Sequence, residues 1–124
     1  MKMLKKNKSI LFFFGAIMAS ISSYGAAPSI TLATGSDSFN EVKVVFSEAV
    51  DAATGGNASN YKLSGGLSIS GANLEAAPND NIVILQTSQQ SVGTEYTLTV
   101  NNVQDLSGNA IEAGSSMDLS LIHI

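Results

Sequence analysis

Residues 104 to 109 read QDLSGN and gather an Asp, a Gly and an Asn just after a strictly alternating run, GTEYTLTV at 93–100. Oxygen donors at such spacing suit a divalent cation, and a carboxylate in a polar loop suits acid–base work. A calcium ion would draw on Asp37, Asp51, Asp105 and Asn109, the hard oxygen ligands expected in loops. Residues 105–109 are too few for an EF-hand loop, which takes about 12 residues with ligands at set offsets. A calcium site would therefore need other loops to converge. The competing reading is a turn in which Asp105 bonds local backbone and Gly108 or Asn109 takes a positive φ.

The other chemistries lack their parts. The only His is His123, near the end of the chain, and a Ser–His–Asp arrangement would require it. There is no Cys, so neither a thiol nucleophile nor a Cys-based zinc site is available. No glycine pattern opens a helix to cradle phosphate. The acids Glu41, Glu48, Asp51, Glu75, Asp80, Glu95, Asp105, Glu112 and Asp118 fall mostly in expected turns or on outward faces. That is the distribution of a solvated surface rather than of a glycosidase carboxylate pair. The triplet Asn57-Ala58-Ser59 matches the N-glycosylation pattern, which in a bacterial protein is a chance match, and a turn before Tyr61 is the other reading. On this reading the chain is not an enzyme. No residue is assigned as catalytic, cofactor-binding or metal-ligating, and calcium is the one ligand left open.

The beginning of the chain has a different character. MKMLKKNK holds four of the six Lys, the apolar run ILFFFGAIMASI follows at 10–21, and the small-residue stretch SSYGAA comes next. Basic, apolar and small-residue regions in that order are the layout of a secretory signal peptide. A spanning helix needs about 20 apolar residues, more than this run supplies. Cleavage after Gly25 leaves Ser23 and Gly25 at the two small positions, with Ala26 as the second choice of site. The expected division is thus a signal peptide at 1–25 and one domain at 26–124. No Cys follows the apolar run, which excludes a lipid-anchored form.

Beyond the leader only Lys43 and Lys62 remain against ten acids, a formal charge of −8, and there is no Arg. Phosphate backbones and anionic membranes need Lys and Arg in quantity, so nucleic acid and membrane surfaces are excluded as partners. With no disulfide available, the domain must stand on its core alone.

Period-two alternation dominates that domain. EVKVVFS at 41–47 points Val42, Val44 and Phe46 one way. TEYTLTVN at 94–101 points Tyr96, Leu98 and Val100 one way. NIVILQT at 81–87 is apolar on both faces, so its core side stays open. Weaker strands are expected at 29–33, 60–63, 67–74 and 114–121, with Gly71 marking a bulge or bend. About seven strands separated by turn chemistry at this spacing indicate an all-β fold, an Ig-like antiparallel β-sandwich. Tyr96, following Gly93-Thr94, stands where such folds place a tyrosine corner, and a simple core Tyr is the alternative.

VKVVFSEAVD (42–51), NASNYKL (57–63), GTEYTLTV (93–100) and VQDLSGNAI (103–111) occur in the order seen in bacterial Ig-like domains. The chain resembles the type named from the S-layer protein SbsA, over about residues 28 to 113. The resemblance implies a β-sandwich module of an exported bacterial protein, secreted, periplasmic or at the cell surface. Such modules act as spacers, stalks or adhesion units beside other domains, and they bring no catalytic residues to carry over. The tail SSMDLSLIHI departs from the family pattern. Either it is a genuine last strand with Leu119, Leu121 and His123 alternating, or residues 119–124 are non-native read-through that cuts a longer parent short.

The function expected from this sequence is a structural or adhesive module at the N-terminus of a larger multidomain protein. Its partners would be protein, cell-surface polysaccharide or neighbouring domains of the same chain. The alternatives are a carbohydrate-binding sandwich, for which Phe39, Tyr61 and Tyr96 are the available aromatics, or an accessory domain of a secreted hydrolase.

Overall fold

A computed structural model describes residues 26–121. The expected signal peptide at 1–25 and His123 lie outside the described residues. The strands are β1 (Ile30–Gly35), β2 (Glu41–Phe46), β3 (Tyr61–Leu63), β4 (Ile69–Leu74), β5 (Ile82–Thr87), β6 (Thr97–Val100), β7 (Ser115–Asp118) and β8 (Ser120–Leu121). A four-residue helix, α1 (Ala52–Gly55), and a 3-10 turn at Ala58–Asn60 lie between β2 and β3. One sheet has the order β4-β5-β2-β1-β8 and the other β3-β6-β7. The two sheets make the all-β antiparallel sandwich that the alternation predicts.

The core is mostly aliphatic, with Phe46, Tyr61 and Tyr96 as its aromatic members. Val42, Val44 and Phe46 of β2 are fully buried, as are Val83 and Leu85 of β5 and Leu98 and Val100 of β6. Burying side chains of this size contributes about 1.5–3 kcal/mol each before ordering costs. The open question about β5 is settled by register. Val83 lies opposite Val44 and Leu85 opposite Val42, so these two face inward with their β2 partners. Ile82 and Ile84 consequently lie on the half-covered outer face. The bulge expected at Gly71 is present, since the β4–β5 register shifts between Ile69 and Gly71.

The closing strand differs from a single run over 114–121. β7 pairs with β6, and after Leu119 the chain changes sheets, so that β8 pairs parallel to β1. Leu119 is the crossing point, buried, with its N–H donated to the Tyr96 carbonyl at 2.9 Å. Alternation continues unbroken through this residue, which is why the sequence reads as one strand.

β1 and β8 run side by side, with Gly35 opposite Leu121. The described chain thus enters beside Ser47, where the Ser47 N–H meets the Ser29 carbonyl, and leaves at the pole of the β1–β2 turn. A six-residue strand separates these poles by about 20 Å.

Candidate functional site

Three of the four polar residues singled out as calcium ligands, Asp51, Asp105 and Asn109, lie at the entry pole. Past the end of β2, Asp51 caps α1. Its Oδ2 accepts the Thr54 N–H at 3.0 Å and the Thr54 hydroxyl at 2.9 Å. Thr54 Oγ1 in turn accepts the Gln104 N–H at 2.9 Å, and the Asp51 N–H donates to the Gln104 carbonyl at 2.8 Å. A bridge between Val50 and Asp105 completes the join. A side chain that satisfies an otherwise orphaned donor in a first helical turn is what a short helix needs to form.

Residues 103–111 fold into a small hairpin around Asp105. Oδ1 accepts the N–H groups of Ser107 and Asn109, each at 2.8 Å, and Oδ2 accepts Asn109 Nδ2 at 3.0 Å. The Asp105 N–H donates to the Asn109 carbonyl, and the Gly108 N–H to the Asp105 carbonyl. Gly108 takes φ +92, in the region where glycine carries no Cβ penalty, so it and not Asn109 is the positive-φ residue. The hairpin is pinned to the core by Val103 and Ile111, both buried, whose backbones meet at 2.7 Å.

These contacts fix the electrostatics. The Asn109 side chain, with the neighbouring N–H groups, holds the Asp105 carboxyl below the ordinary carboxylate range. The Thr54 hydroxyl does the same for Asp51. Neither carboxylate is poised to exchange a proton near neutrality. Of the four proposed calcium ligands, the fold brings Asp51, Asp105 and Asn109 to one pole. Asp37 is placed in the β1–β2 turn, at the other end of β2. Among the described residues no three His, Asp or Glu gather closely enough to hold a metal ion. Ligands to calcium must approach within about 2.3–2.6 Å of one point, and here Asp51 Oδ2 is taken by Thr54 and both Asp105 oxygens by groups of their own turn. Asn57 likewise serves a turn: its Oδ1 accepts the Ser59 N–H and hydroxyl ahead of Tyr61.

Of the three aromatics named for a sugar platform, Phe39 is half-buried in the β1–β2 turn. Tyr61 and Tyr96 are 3% and 4% exposed, so both belong to the core. The Tyr61 hydroxyl donates to the Gly55 carbonyl at 2.7 Å, and burial raises its pKa. The Tyr96 hydroxyl accepts the Ser91 N–H at 2.9 Å, five residues upstream, the geometry of a tyrosine corner. That backbone donor lowers the Tyr96 pKa. Gly65 must be glycine here, because a Cβ at φ +72 would come within 2.8 Å of the Tyr96 ring.

An open feature lies between the sheets. β3 is the outer strand of one sheet and β4 of the other, and between them runs a groove of about 620 Å³. Leu63, Leu67 and Ile69 give it an apolar floor, and Lys62 is the one charged residue lining it among the described residues.

The bacterial Ig-like domain model matches residues 26–120. This chain belongs to the bacterial Ig-like domain family. The Ig-like domain is also similar in fold to solved S-layer structures. It aligns with S-layer protein rSbsC(31-844) at TM-score 0.68 and 20% identity, covering 82% of this chain and 14% of that one. The N-terminal part of the S-layer protein SbsC gives TM-score 0.68 and 19% identity, with 80% and 24% covered. The Ig-like domain therefore spans a small fraction of the length of these proteins. Among curated proteins none matches it by sequence. No helix among the described residues is long and apolar enough to cross a membrane.

Three contributors to the Ig-like domain were missed in the sequence. Thr54 stands three residues after Asp51, the spacing from a cap residue to the N–H it receives, and that signal was available. Gln90, in the polar run SQQS, is 3% exposed. Its Nε2 donates to the Glu41 carbonyl at 3.1 Å and its N–H to the Phe39 carbonyl at 2.7 Å, while Oε1 is buried without a partner. No periodicity announces a buried Gln in a loop. Lys62 at an open edge shows only once the sheet order is known.

Proposed function

We propose that this domain is a non-catalytic structural module at the N-terminus of an exported bacterial protein, and that it joins or spaces neighbouring domains and takes part in surface adhesion. The observation that carries this reading is the match of residues 26–120 to the bacterial Ig-like domain family, together with the likeness in fold to S-layer proteins many times its length. The occupied carboxylates of Asp51 and Asp105 support the non-catalytic part, because they work as fasteners. The leader at 1–25, with cleavage after Gly25, supplies the route of export.

Two measurements test the reading. The mass of the protein recovered from outside the cytoplasm should correspond to a chain starting at Ala26; retention of residues 1–25 would overturn the exported form. The parental reading frame beyond Ser120 should continue into further domains. A stop codon shortly after Ile124 would contradict the multidomain part and leave a free-standing sandwich.

A further inference from the structure

The unpaired edge of β3 has a direction that can be read from its bonds to β6. The Asn101 N–H donates to the Asn60 carbonyl, and the Ser64 N–H to the Thr97 carbonyl. In an antiparallel ladder hydrogen-bonded and non-bonded pairs alternate. Asn60, Lys62 and Ser64 therefore turn their backbone groups to β6, and Tyr61 and Leu63 turn theirs away. The Tyr61 N–H is taken by the Ala58 carbonyl. Among the described residues that leaves the Tyr61 carbonyl and both the N–H and the carbonyl of Leu63 on the open edge. Unpaired groups of this kind are a template for another strand.

We propose that the β3 edge, with the groove between β3 and β4, is a strand-addition site for an extended peptide of alternating acidic and apolar residues. One guest residue opposite Leu63 would exchange two hydrogen bonds with it, and a guest N–H would reach the Tyr61 carbonyl. Guest side chains on one face would lie against Leu63, Leu67 and Ile69. The site is independent of the module's place in a longer chain.

Charge decides the occupant. The domain holds ten acids and two Lys beyond its leader, yet the charged residue lining this groove is Lys62. A basic rim on an acidic domain favours an acidic guest. The same Lys disfavours a second copy of the chain. A twofold pairing of β3 edges that used the Tyr61 and Leu63 groups would set Lys62 directly opposite its own counterpart. Like charges directly opposite destabilise a strand pair.

The test is an amide-resolved NMR titration of the isotope-labelled chain with two synthetic hexapeptides, one alternating Asp and Val, the other Lys and Val. The acidic peptide should shift the amides of residues 61–64, 67 and 69 and leave β7 and β8 unmoved. The Lys62→Glu variant should weaken that peptide by about tenfold and reverse the preference between the two. Leu63→Pro should abolish binding with the spectrum still dispersed, since a Pro is tolerated where the N–H faces solvent at an edge. Equal binding of both peptides, or no shift along β3, would overturn the proposal. Concentration-dependent shifts at β3 without peptide would also overturn it, in favour of self-association.

Discussion

At the 103–111 hairpin both Asp105 carboxylate oxygens accept hydrogen bonds from within the turn, and Val103 and Ile111 anchor it to the core. At β3 the backbone groups of Leu63 face outward beside a half-filled groove. In the sequence the first segment looks like a site and the second like an ordinary short strand. The fold reverses those roles. Polar residues packed closely in sequence tend to satisfy one another, because local side-chain-to-backbone bonds need little chain to be ordered. An open sheet edge has no local remedy, since its missing partner would have to come from a separate strand.

The largest effect should come from the anchor of the closed region. Ile111→Ala removes a buried side chain and should cost about 2–5 kcal/mol in urea unfolding. Leu63→Ala, at the half-covered groove, should cost about 1 kcal/mol or less on the transfer scale for partial burial. Equal losses would erase the contrast between the two regions. Next in size is Tyr61→Phe, which strips the Gly55 carbonyl of its donor and should cost about 1–3 kcal/mol. That bond ties the inner side of β3 to α1, so its loss should loosen the edge from within.

A smaller and pH-dependent effect is expected from Asp105→Asn. The folded state keeps Asp105 ionised to lower pH than the unfolded chain does, where an Asp titrates near 3.9. Its contribution is therefore full above about pH 4 and is lost as pH falls through the folded value. Stability measured against pH should fall less steeply in acid for Asp105→Asn than for the parent chain, and parallel curves would contradict the role assigned to this carboxylate. The smallest effect is that of a chelator. Thermal melts with and without EDTA should share one midpoint, because Asp51 Oδ2 and both Asp105 oxygens already accept hydrogen bonds. A drop with EDTA would restore calcium to the entry pole.

Much of this fold was legible because the inward residues of β2 and β6 alternate with outward ones that, Val45 apart, are polar. Val42, Val44 and Phe46, like Tyr96, Leu98 and Val100, could be assigned to the core without a partner strand. β5 could not, since Ile82 and Ile84 make its outer face apolar too, and only the register with β2 separates the faces. The sheet change at Leu119 is invisible for a related reason: a strand that crosses between sheets keeps its alternation. α1 spans four residues, too few for a helical period to register. The turn chemistry of Asp105, Gly108 and Asn109 was readable because each acts on its own neighbours. The β3 edge was not, because an unpaired strand is a property of sheet order and not of any residue in it.

Native-state hydrogen exchange sets the two regions against each other most directly. Exchange should be slow for the amides of Asn109 and Ile111, held by Asp105 and Val103, and fast for Leu63, with Ser64 protected beside it. A rapidly exchanging Asn109 together with a protected Leu63 would contradict this contrast, because the turn would then be open and the edge already closed.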